Sequence, residues 1–496
     1  MHLVILAVLL GIQGGSAVDN GLAIAPPLGW RSWNFYGTSF TQKDMMSQAA
    51  AMTERKGGRP SLADVGYGQL GIDMGWEGCG KGLNGSFHTS KGWPIVNTDK
   101  FPNLTDMNHA LHEMGLKTGF YFNPCWCSVE WKVWPHGNTA HDVATVLELG
   151  FDGIKIDGCG PANNMSLWGQ LLNASTHPLL IEDCLDKHFW GNGKEPPTPT
   201  AQLLRDCPSN FYRTTTDILG HFYSIMGNLM TSEAFTKEHE MDFGPVSRPG
   251  CWAYPDMLQV GNNHKCAPSV PKEFCPQISV VESYTHFAAW CITSAPLILG
   301  FDLANSTAYD EVYPIVTNAL ALKINQEWAG QPGGLAECSK ENFTTHDVTT
   351  TVTSFPYWQI WHKPLKTAQG AVTAAVLVIN LSNETRNVTL TYAAVDSLLG
   401  DTVTGTDVWT GKSVAMGVKS TIFSLDPHAS RFLVLKTAAD DSAADEWRLD
   451  SQSDSWKGAA VEGCDEECKK TVCANGGNVR ACGCKPPCPS SPVKPI

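Results

Sequence analysis

Charge is scarce in this 496-residue chain: 17% of it is Asp, Glu, Lys or Arg, and the 35 basic residues are outnumbered by 49 acidic ones. A net charge of −14 leaves no basic face for a phosphate backbone, which excludes nucleic acid as a charge-driven partner. No run approaches the roughly 20 apolar residues that span a bilayer, so no membrane span is expected. No Gly-rich phosphate loop opens the first strand–helix unit, which removes the main argument for a doubly wound open sheet. A chain that is 43% hydrophobic, with 46 Gly and 30 Pro, is neither collagen, coiled coil nor wholesale disorder. Its length exceeds one ordinary core and implies at least two domains.

The first feature present is an apolar run of ten residues, LVILAVLLGI at 3–12, followed by QGGSA. It has the length of a signal-peptide core, and the small residues Gly15 and Ala17 predict a signal peptide over 1–17, although no Lys or Arg precedes the run. Nine Asn-x-Ser/Thr sites follow, at Asn84, Asn103, Asn164, Asn173, Asn305, Asn342, Asn380, Asn383 and Asn387. The last three require an exposed surface if they carry glycans. Together these features predict a glycoprotein that is secreted or held in a lysosomal or vacuolar lumen, where disulfides persist. Of 17 cysteines, six (Cys464, Cys468, Cys473, Cys482, Cys484, Cys488) crowd the C-terminus and read as a three-disulfide knot. A zinc site there is disfavoured, because the segment has no paired CxxC and no His. The odd count then falls on the body, with Cys291 in the apolar HFAAWCITSAP as the expected unpaired, buried thiol.

Between about 18 and 330, eight short apolar runs alternate with amphipathic stretches: APPLGWRSWN, YGQLGIDMGW, KTGFYFNP, FDGIKIDGCG, PLLIEDC, NFYRTTTDI, GCWAYPDML and LILGFDL. Eight such units in about 300 residues predict a parallel (β/α)8 barrel, a TIM barrel of the α/β class. Residues 331–437 turn to short runs rich in Val, Thr and aromatics and predict an antiparallel β-sandwich. Residues 438–463 carry seven acids against two bases and read as a solvated linker before the small Cys-rich tail at 464–496.

A barrel of this kind carries function at the C-terminal ends of its strands. Five acids end strand candidates: Asp73, Asp157, Asp183, Asp217 and Asp256. One alone would be an ordinary helix cap; five on one rim suggest a paired-carboxylate site, as glycoside hydrolysis requires. Lys155 and Asp157 stand two apart in GIKIDGC and therefore point to one face, here the barrel interior. A buried ammonium beside Asp157 would keep it ionised, as a nucleophile needs to be. Asp217, four residues after Arg213, is the expected acid, kept protonated by partial burial or by the charge on Asp157. Of twelve Trp before residue 330, Trp33, Trp76 and Trp252 stand beside these acids and are candidates for stacking on a sugar face.

At these residues the sequence resembles glycoside hydrolase family 27, the α-galactosidase and α-N-acetylgalactosaminidase family. PPLGWRSWN resembles its Gly-Trp-x-x-Trp opening, GIDMGW its Ile-Asp-Asp-x-Trp strand and KIDGC its nucleophile strand. FYRTTTDI resembles the Arg-x-x-x-Asp segment of the acid/base, and CWAYPDMLQVGN the Trp-x-Asp-Pro-Asp-Met-Leu segment. SAPLILGFDL and INQEWAG resemble the closing strand and helix, so the resemblance spans about 25–435.

The resemblance implies a retaining exo-glycosidase for terminal α-linked galactose, with Asp157 as nucleophile and Asp217 as acid/base about 5–5.5 Å apart. It implies a sugar pocket of Trp33, Asp73, Tyr121, Lys155, Arg213 and Asp256, with no metal and no organic cofactor. The substrate would be an α-galactoside of an oligosaccharide, polysaccharide or glycolipid, and a homodimer is left open. The implied disulfides are Cys184–Cys207, and Cys159 with Cys127 or Cys125. Met74, Gly75, Tyr254, Leu185 and Asp186 depart from the family pattern. They leave α-N-acetylgalactosaminidase, β-L-arabinopyranosidase or α-glucan-directed activity as alternatives, and beyond these a non-catalytic carbohydrate-binding protein. The need for a protonated Asp217 predicts an acidic optimum.

Overall fold

The computed structural model describes residues 20–123, 127, 138–157, 164–175, 177–184, 201–239, 244–262, 277–347, 350, 352–366 and 372–437. The expected signal peptide, acidic linker and Cys-rich tail lie outside the described residues. All eight barrel strands form where the alternation places them: β1 (Leu28–Arg31), β2 (Gln69–Gly71), β3 (Lys117–Phe122), β4 (Gly153–Ile156), β5 (Leu180–Asp183), β6 (Phe211–Arg213), β7 (Trp252–Tyr254) and β8 (Leu297–Leu299). They pair in parallel in the order β7-β6-β5-β4-β3-β2-β1-β8. β7 and β8 do not pair as strands; the backbone N–H of Leu258, four residues past β7, donates to the carbonyl of Ile298 at 2.8 Å and bridges them.

The described α-helices of the barrel domain are α1 (Trp33–Tyr36), α2 (Gln42–Thr53), α3 (Leu104–Glu113), α4 (Thr139–Glu148), α5 (Met165–Asn173), α6 (Ala201–Asp206), α7 (Phe222–Glu238), α8 (Val280–Ile292), α9 (Ser306–Val316) and α10 (Ala319–Gln326). Short polar residues start them: Thr41 with Asp44, and Ser279 with Glu282, form capping boxes at α2 and α8. After β8 the chain forms two consecutive helices, α9 and α10. Asn318 takes an extended conformation, and its side chain accepts the Ala321 N–H to begin α10.

Inside the barrel, side chains alternate along each strand. The lower level is floored by Gly29, Gly71, Gly119 and Gly153 on four neighbouring strands, all lining one internal cavity. A Cβ at Gly29 would stand 2.8 Å from the carbonyl of Gln69, and one at Gly153 would stand 3.0 Å from that of Leu180. The space above this floor is taken by Arg31, Lys155 and Glu182, which line the same cavity.

The sandwich follows as expected. A six-stranded antiparallel sheet has the order β16 (Ser413–Val414), β15 (Val403–Asp407), β18 (Ser430–Thr437), β13 (Thr373–Asn380), β12 (Trp358–Leu365) and β9 (Gly334–Cys338). Its central strands are buried on both faces. Val376, Val378, Leu433 and Leu435 pack with Val388, Leu390 and Phe423 of the ribbon β14 (Arg386–Thr391)–β17 (Ser420–Leu425). Trp361, Ala375, Leu377 and Phe432 join the core of the barrel, against α8. That double burial is why β13 reads as an unbroken apolar run rather than an alternating one. β10 (Asn342–Thr344) and β11 (Ser354–Pro356) form a separate hairpin.

His428 fastens the two domains. Its Nδ1 lies 2.6 Å from Glu282 Oε1, its Nε2 lies 2.9 Å from Asn383 Oδ1, and its ring stacks on Phe222 at 3.9 Å. Replacing His428 by Ala leaves a half-buried Glu282 without its partner and is expected to cost about 1–3 kcal/mol. Calorimetric unfolding of the purified variant measures this; an unchanged midpoint would contradict it.

Two sequence expectations fail here. Cys184 does not join Cys207: Cys184 is a free buried thiol at the end of β5, while Cys207, just past α6, bonds Cys251 at the foot of β7. Cys127 bonds Cys79 on the loop after β2, not Cys159, because that loop folds over the end of β3. Cys159 and Cys125 lie outside the described residues, and Cys291 is the buried free thiol that its helix predicted. Among the sequons, Asn380 is fully buried, and its side-chain nitrogen donates to the carbonyls of Glu384, Leu425 and Asp426 at 2.7–3.1 Å. The exposed surface expected of the cluster is present at Asn383 and Asn387 only.

Candidate active site

Period-two alternation carries one side chain after another to the C-terminal mouth of the barrel. β2 runs out to Asp73, β3 to Tyr121 and Asn123, β4 to Lys155 and Asp157, β6 to Arg213, and β7 to Tyr254 and Asp256. The ladder persists past the end of β4, where the Asp157 N–H donates to the Phe122 carbonyl at 2.8 Å.

Asp157 is half-buried. Its Oδ2 accepts the Tyr121 hydroxyl at 2.5 Å and the Asn123 amide at 3.1 Å, and Asn123 also donates to the Tyr121 oxygen at 3.1 Å. Burial, then the charges of Asp157 and Asp73, push the Tyr121 phenol well up, so it stays protonated and donates. Lys155 is not the direct partner of Asp157 that its i,i+2 spacing suggested. Its Nζ bonds Asp73 Oδ2 at 2.9 Å and lies 5.4 Å from the centre of the Tyr121 ring. Burial opposes the ammonium, but the Asp73 carboxylate overrides it and the pKa of Lys155 is raised. The pair forms because neighbouring strands bring β2 and β4 side chains over the gap left by Gly119 on β3.

Across the mouth, Arg213 Nη1 lies 2.8 Å from Asp217 Oδ1 and 3.3 Å from Asp256 Oδ2. The side chain of Asp217 is 71% exposed, so the partial burial expected to keep it protonated is not there; its contact with Arg213 favours the carboxylate. Asp256 is the opposite case. Burial, despite Arg213 and with help from the charge of Asp217, raises its pKa. Its backbone sits at φ +88°, a strained conformation for an aspartate. Three contacts hold it there besides Arg213: the N–H groups of Ile218 and Met257 reach its carboxylate at 2.9 and 2.7 Å, and Trp290 Nε1 reaches its carbonyl at 2.8 Å.

Of the other candidates, Trp33 is half-buried at the mouth, in α1. Trp76 and Trp252 are core residues. The indole of Trp76 donates to the Tyr121 carbonyl among Phe87, Phe120 and Phe122; that of Trp252 donates to the Ala23 carbonyl and packs edge-on to Trp328. Asp183 shares the outward face of Ile156, its register partner, and leaves the rim of acids. Leu185 and Asp186 lie outside the described residues.

Sequence reasoning missed Arg31 and Glu182 beneath the mouth, and saw in Tyr254 only a departure from the family pattern. Arg31 bonds Glu182, and Tyr254 donates its hydroxyl to the other Glu182 oxygen. The signal was available: a glutamate inside the apolar run LLIEDC, one residue before the strand end and level with Lys155 of the next strand, is in phase with the interior.

The arrangement gives two carboxylates at one mouth, one gripped by neutral donors and one solvent-facing on an arginine, above an alternating set of buried cations and anions. It suits hydroxyl-rich ligands and attack on an acetal carbon.

Comparison with known proteins agrees with this chemistry. The model of the family described as alpha galactosidase A matches residues 25–327, and that of the alpha galactosidase C-terminal beta sandwich domain matches 356–435. A protein named "Probable alpha-galactosidase" from Dictyostelium discoideum is 30% identical over 363 residues, 72% of this chain and 79% of its own. The alpha-galactosidase of Cyamopsis tetragonoloba is 25% identical over 468 residues, 88% of this chain and 97% of its own. Among solved structures, alpha-galactosidase I from Mortierella vinacea superposes with a TM-score of 0.62 at 20% identity, covering 84% of this chain and 98% of that one.

Proposed function

This chain belongs to the α-galactosidase family of glycoside hydrolases, and from that premise we propose that it removes terminal α-linked galactose by a retaining double displacement. The observation that carries the reading is the setting of Asp157. Tyr121 and Asn123 fix its Oδ2, and with it the plane of the carboxylate, at the open end of the barrel.

In the first step Asp157 attacks the anomeric carbon while Asp217 gives its proton to the departing glycosidic oxygen. In the second, Asp217 takes a proton from water, which displaces Asp157. The contact with Arg213 supports the carboxylate form of Asp217 that the second step begins from. A sugar seated over the mouth strips water from Asp217, which raises its pKa towards the protonated form that the first step needs. Lys155, Asp73, Arg213 and Asp256 take the sugar hydroxyls, and Trp33 offers a ring to its apolar face. Two disulfides, Cys79–Cys127 and Cys207–Cys251, suit an extracellular or lumenal site of action.

Proton NMR of p-nitrophenyl α-galactoside hydrolysis tests the stereochemistry. α-Galactose is expected as the first anomer, before mutarotation; β-galactose first would refute double displacement. Run in parallel, aryl α-N-acetylgalactosaminide, β-L-arabinopyranoside and α-glucoside are expected to turn over more slowly. A higher kcat/KM for any of them would reassign the sugar.

A further inference from the structure

Beneath the mouth, one carboxylate oxygen is contested by two cations. Asp73 Oδ2 accepts Lys155 Nζ at 2.9 Å, and Arg31 Nε stands 3.9 Å from the same atom. All three side chains are buried, and so are Glu182 and Tyr254. Arg31 is kept from closing on Asp73 by Glu182, whose Oε2 takes Arg31 Nη2 while its Oε1 takes the Tyr254 hydroxyl. Among the described residues, Arg31 Nε and Nη1 have no hydrogen-bond partner, so the guanidinium has donors ready for any acceptor it can reach.

We propose that Glu182 is a positioning residue for the sugar site: by holding Arg31 it reserves Asp73 for Lys155. This rests on the reading of Asp73 and Lys155 as hydroxyl-binding residues in the proposed function. Three elements fix the arrangement. β1 supplies the competitor, β5 supplies its keeper, and β7 supplies Tyr254, which pins the keeper from the far side. The glycine floor makes it sterically feasible, because a Cβ at Gly71 would stand 3.4 Å from Arg31 Nε. Electrostatics agree. Burial opposes ionisation of Glu182, but Arg31 and then Lys155 prevail and its pKa is lowered; burial of Arg31 is likewise overridden by Glu182. With the keeper ionised, Arg31, Lys155, Asp73 and Glu182 sum to zero charge in the barrel interior, a balance that a single neutral replacement destroys.

The consequence is specific. In Glu182→Gln, Arg31 loses its anion and closes on Asp73, so that Asp73 and Lys155 no longer present the geometry that binds the sugar. KM for p-nitrophenyl α-galactoside is expected to rise about tenfold, with kcat within about threefold, as for lost binding shared by ground and transition states. The double variant Arg31→Met/Glu182→Met removes competitor and keeper together, and its KM is expected to fall back to within about threefold of the parent. A purely structural role predicts the reverse, since the double variant deletes more contacts than the single one. If Glu182→Gln does not fold, Glu182→Met carries the same comparison, with and without Arg31→Met. An unchanged KM in the single variant, or a double variant no better than the single, overturns the proposal. Absence of turnover by the parent enzyme on every aryl glycoside would instead overturn the functional reading beneath it.

Discussion

Replacing Asp157 by Ala is expected to lower kcat on p-nitrophenyl α-galactoside by about 10⁴- to 10⁵-fold, the loss seen when a covalent nucleophile is deleted. That is about 5.5–7 kcal/mol of barrier, more than any other side chain at the mouth should supply. The fold should survive. Asp157 lies beyond the end of β4 and is half-buried, and Asn123 and Tyr121 remain bonded to each other when it is gone. The variant leaves a small cavity beside the anomeric carbon, and azide added to it should restore turnover. Attack from the vacated side yields β-galactosyl azide. The same anion added to Asp217→Ala should give the α-azide, because there it intercepts a galactosyl-enzyme already formed on Asp157. This pair of opposite products distinguishes the two carboxylates in one experiment. Turnover near the parental rate in Asp157→Ala would remove the nucleophile assignment.

A second large effect is expected in stability, from a group outside the reacting pair. Glu77 follows β2 and is buried; its Oε2 accepts the Gly75 N–H at 2.7 Å, while Oε1 has no partner among the described residues. Burial above all, with some help from the charge of Asp73, pushes its pKa up from an ordinary 4.5 to about 7. The sign follows from proton counting. Below pH 4.5 folded and unfolded chains are both protonated at this site and nothing is lost. Between 4.5 and 7 the unfolded chain gives up the proton first, so stability falls as pH rises. Above 7 both forms are ionised and the penalty has reached its full size, about 3 kcal/mol. Glu77→Gln, which cannot ionise, should therefore match the parent at pH 4.5 and exceed it by about 2–3 kcal/mol at pH 8. Calorimetric unfolding across that range reads it directly, and a difference that does not vary with pH would contradict the account. The direction suits an acidic lumen, where Glu77 keeps its proton.

The barrel was legible in the chain because a parallel strand buried on both faces leaves a compact apolar signature, and eight of these recur at helical spacing. Lys155 and Asp157 could be read as facing one way because period two is a property of one strand at a time, and Asp73 and Asp256 because they end strands; Tyr121 and Arg213 entered the pocket only through the family resemblance. Pairings between strands could not be read that way. Lys155 was matched with its sequence neighbour Asp157, yet the register across β2, β3 and β4 gives it to Asp73. Cys184 and Cys207 are paired by the family resemblance, yet β5 buries the first as a free thiol and the end of α6 turns the second towards Cys251. Asp217 illustrates a further limit, since its environment depends on how the chain leaves β6, and its pairing with Arg213 in the open overrode the burial expected from sequence. Glu182 was hidden by its company, because one charge in an apolar strand looks like a strand end until β1 brings Arg31 opposite.

The seam between β7 and β8 gives the pocket two unlike walls. Asp73, Tyr121, Lys155 and Asp157 hang from strands bonded to a neighbour on each side, whereas Asp256 hangs from the last strand before the gap, secured by Trp290 and the bridge from Leu258 to Ile298. Slack in such a barrel collects where ladder bonds are fewest. On the proposed reading, the attacking carboxylate is thus mounted on the stiff wall and a hydroxyl contact on the yielding one. A sugar of slightly different outline can then be accommodated by a shift on the Asp256 side, without disturbing the point of attack. In evolutionary terms the seam is where this barrel could change its taste in sugars while keeping its chemistry.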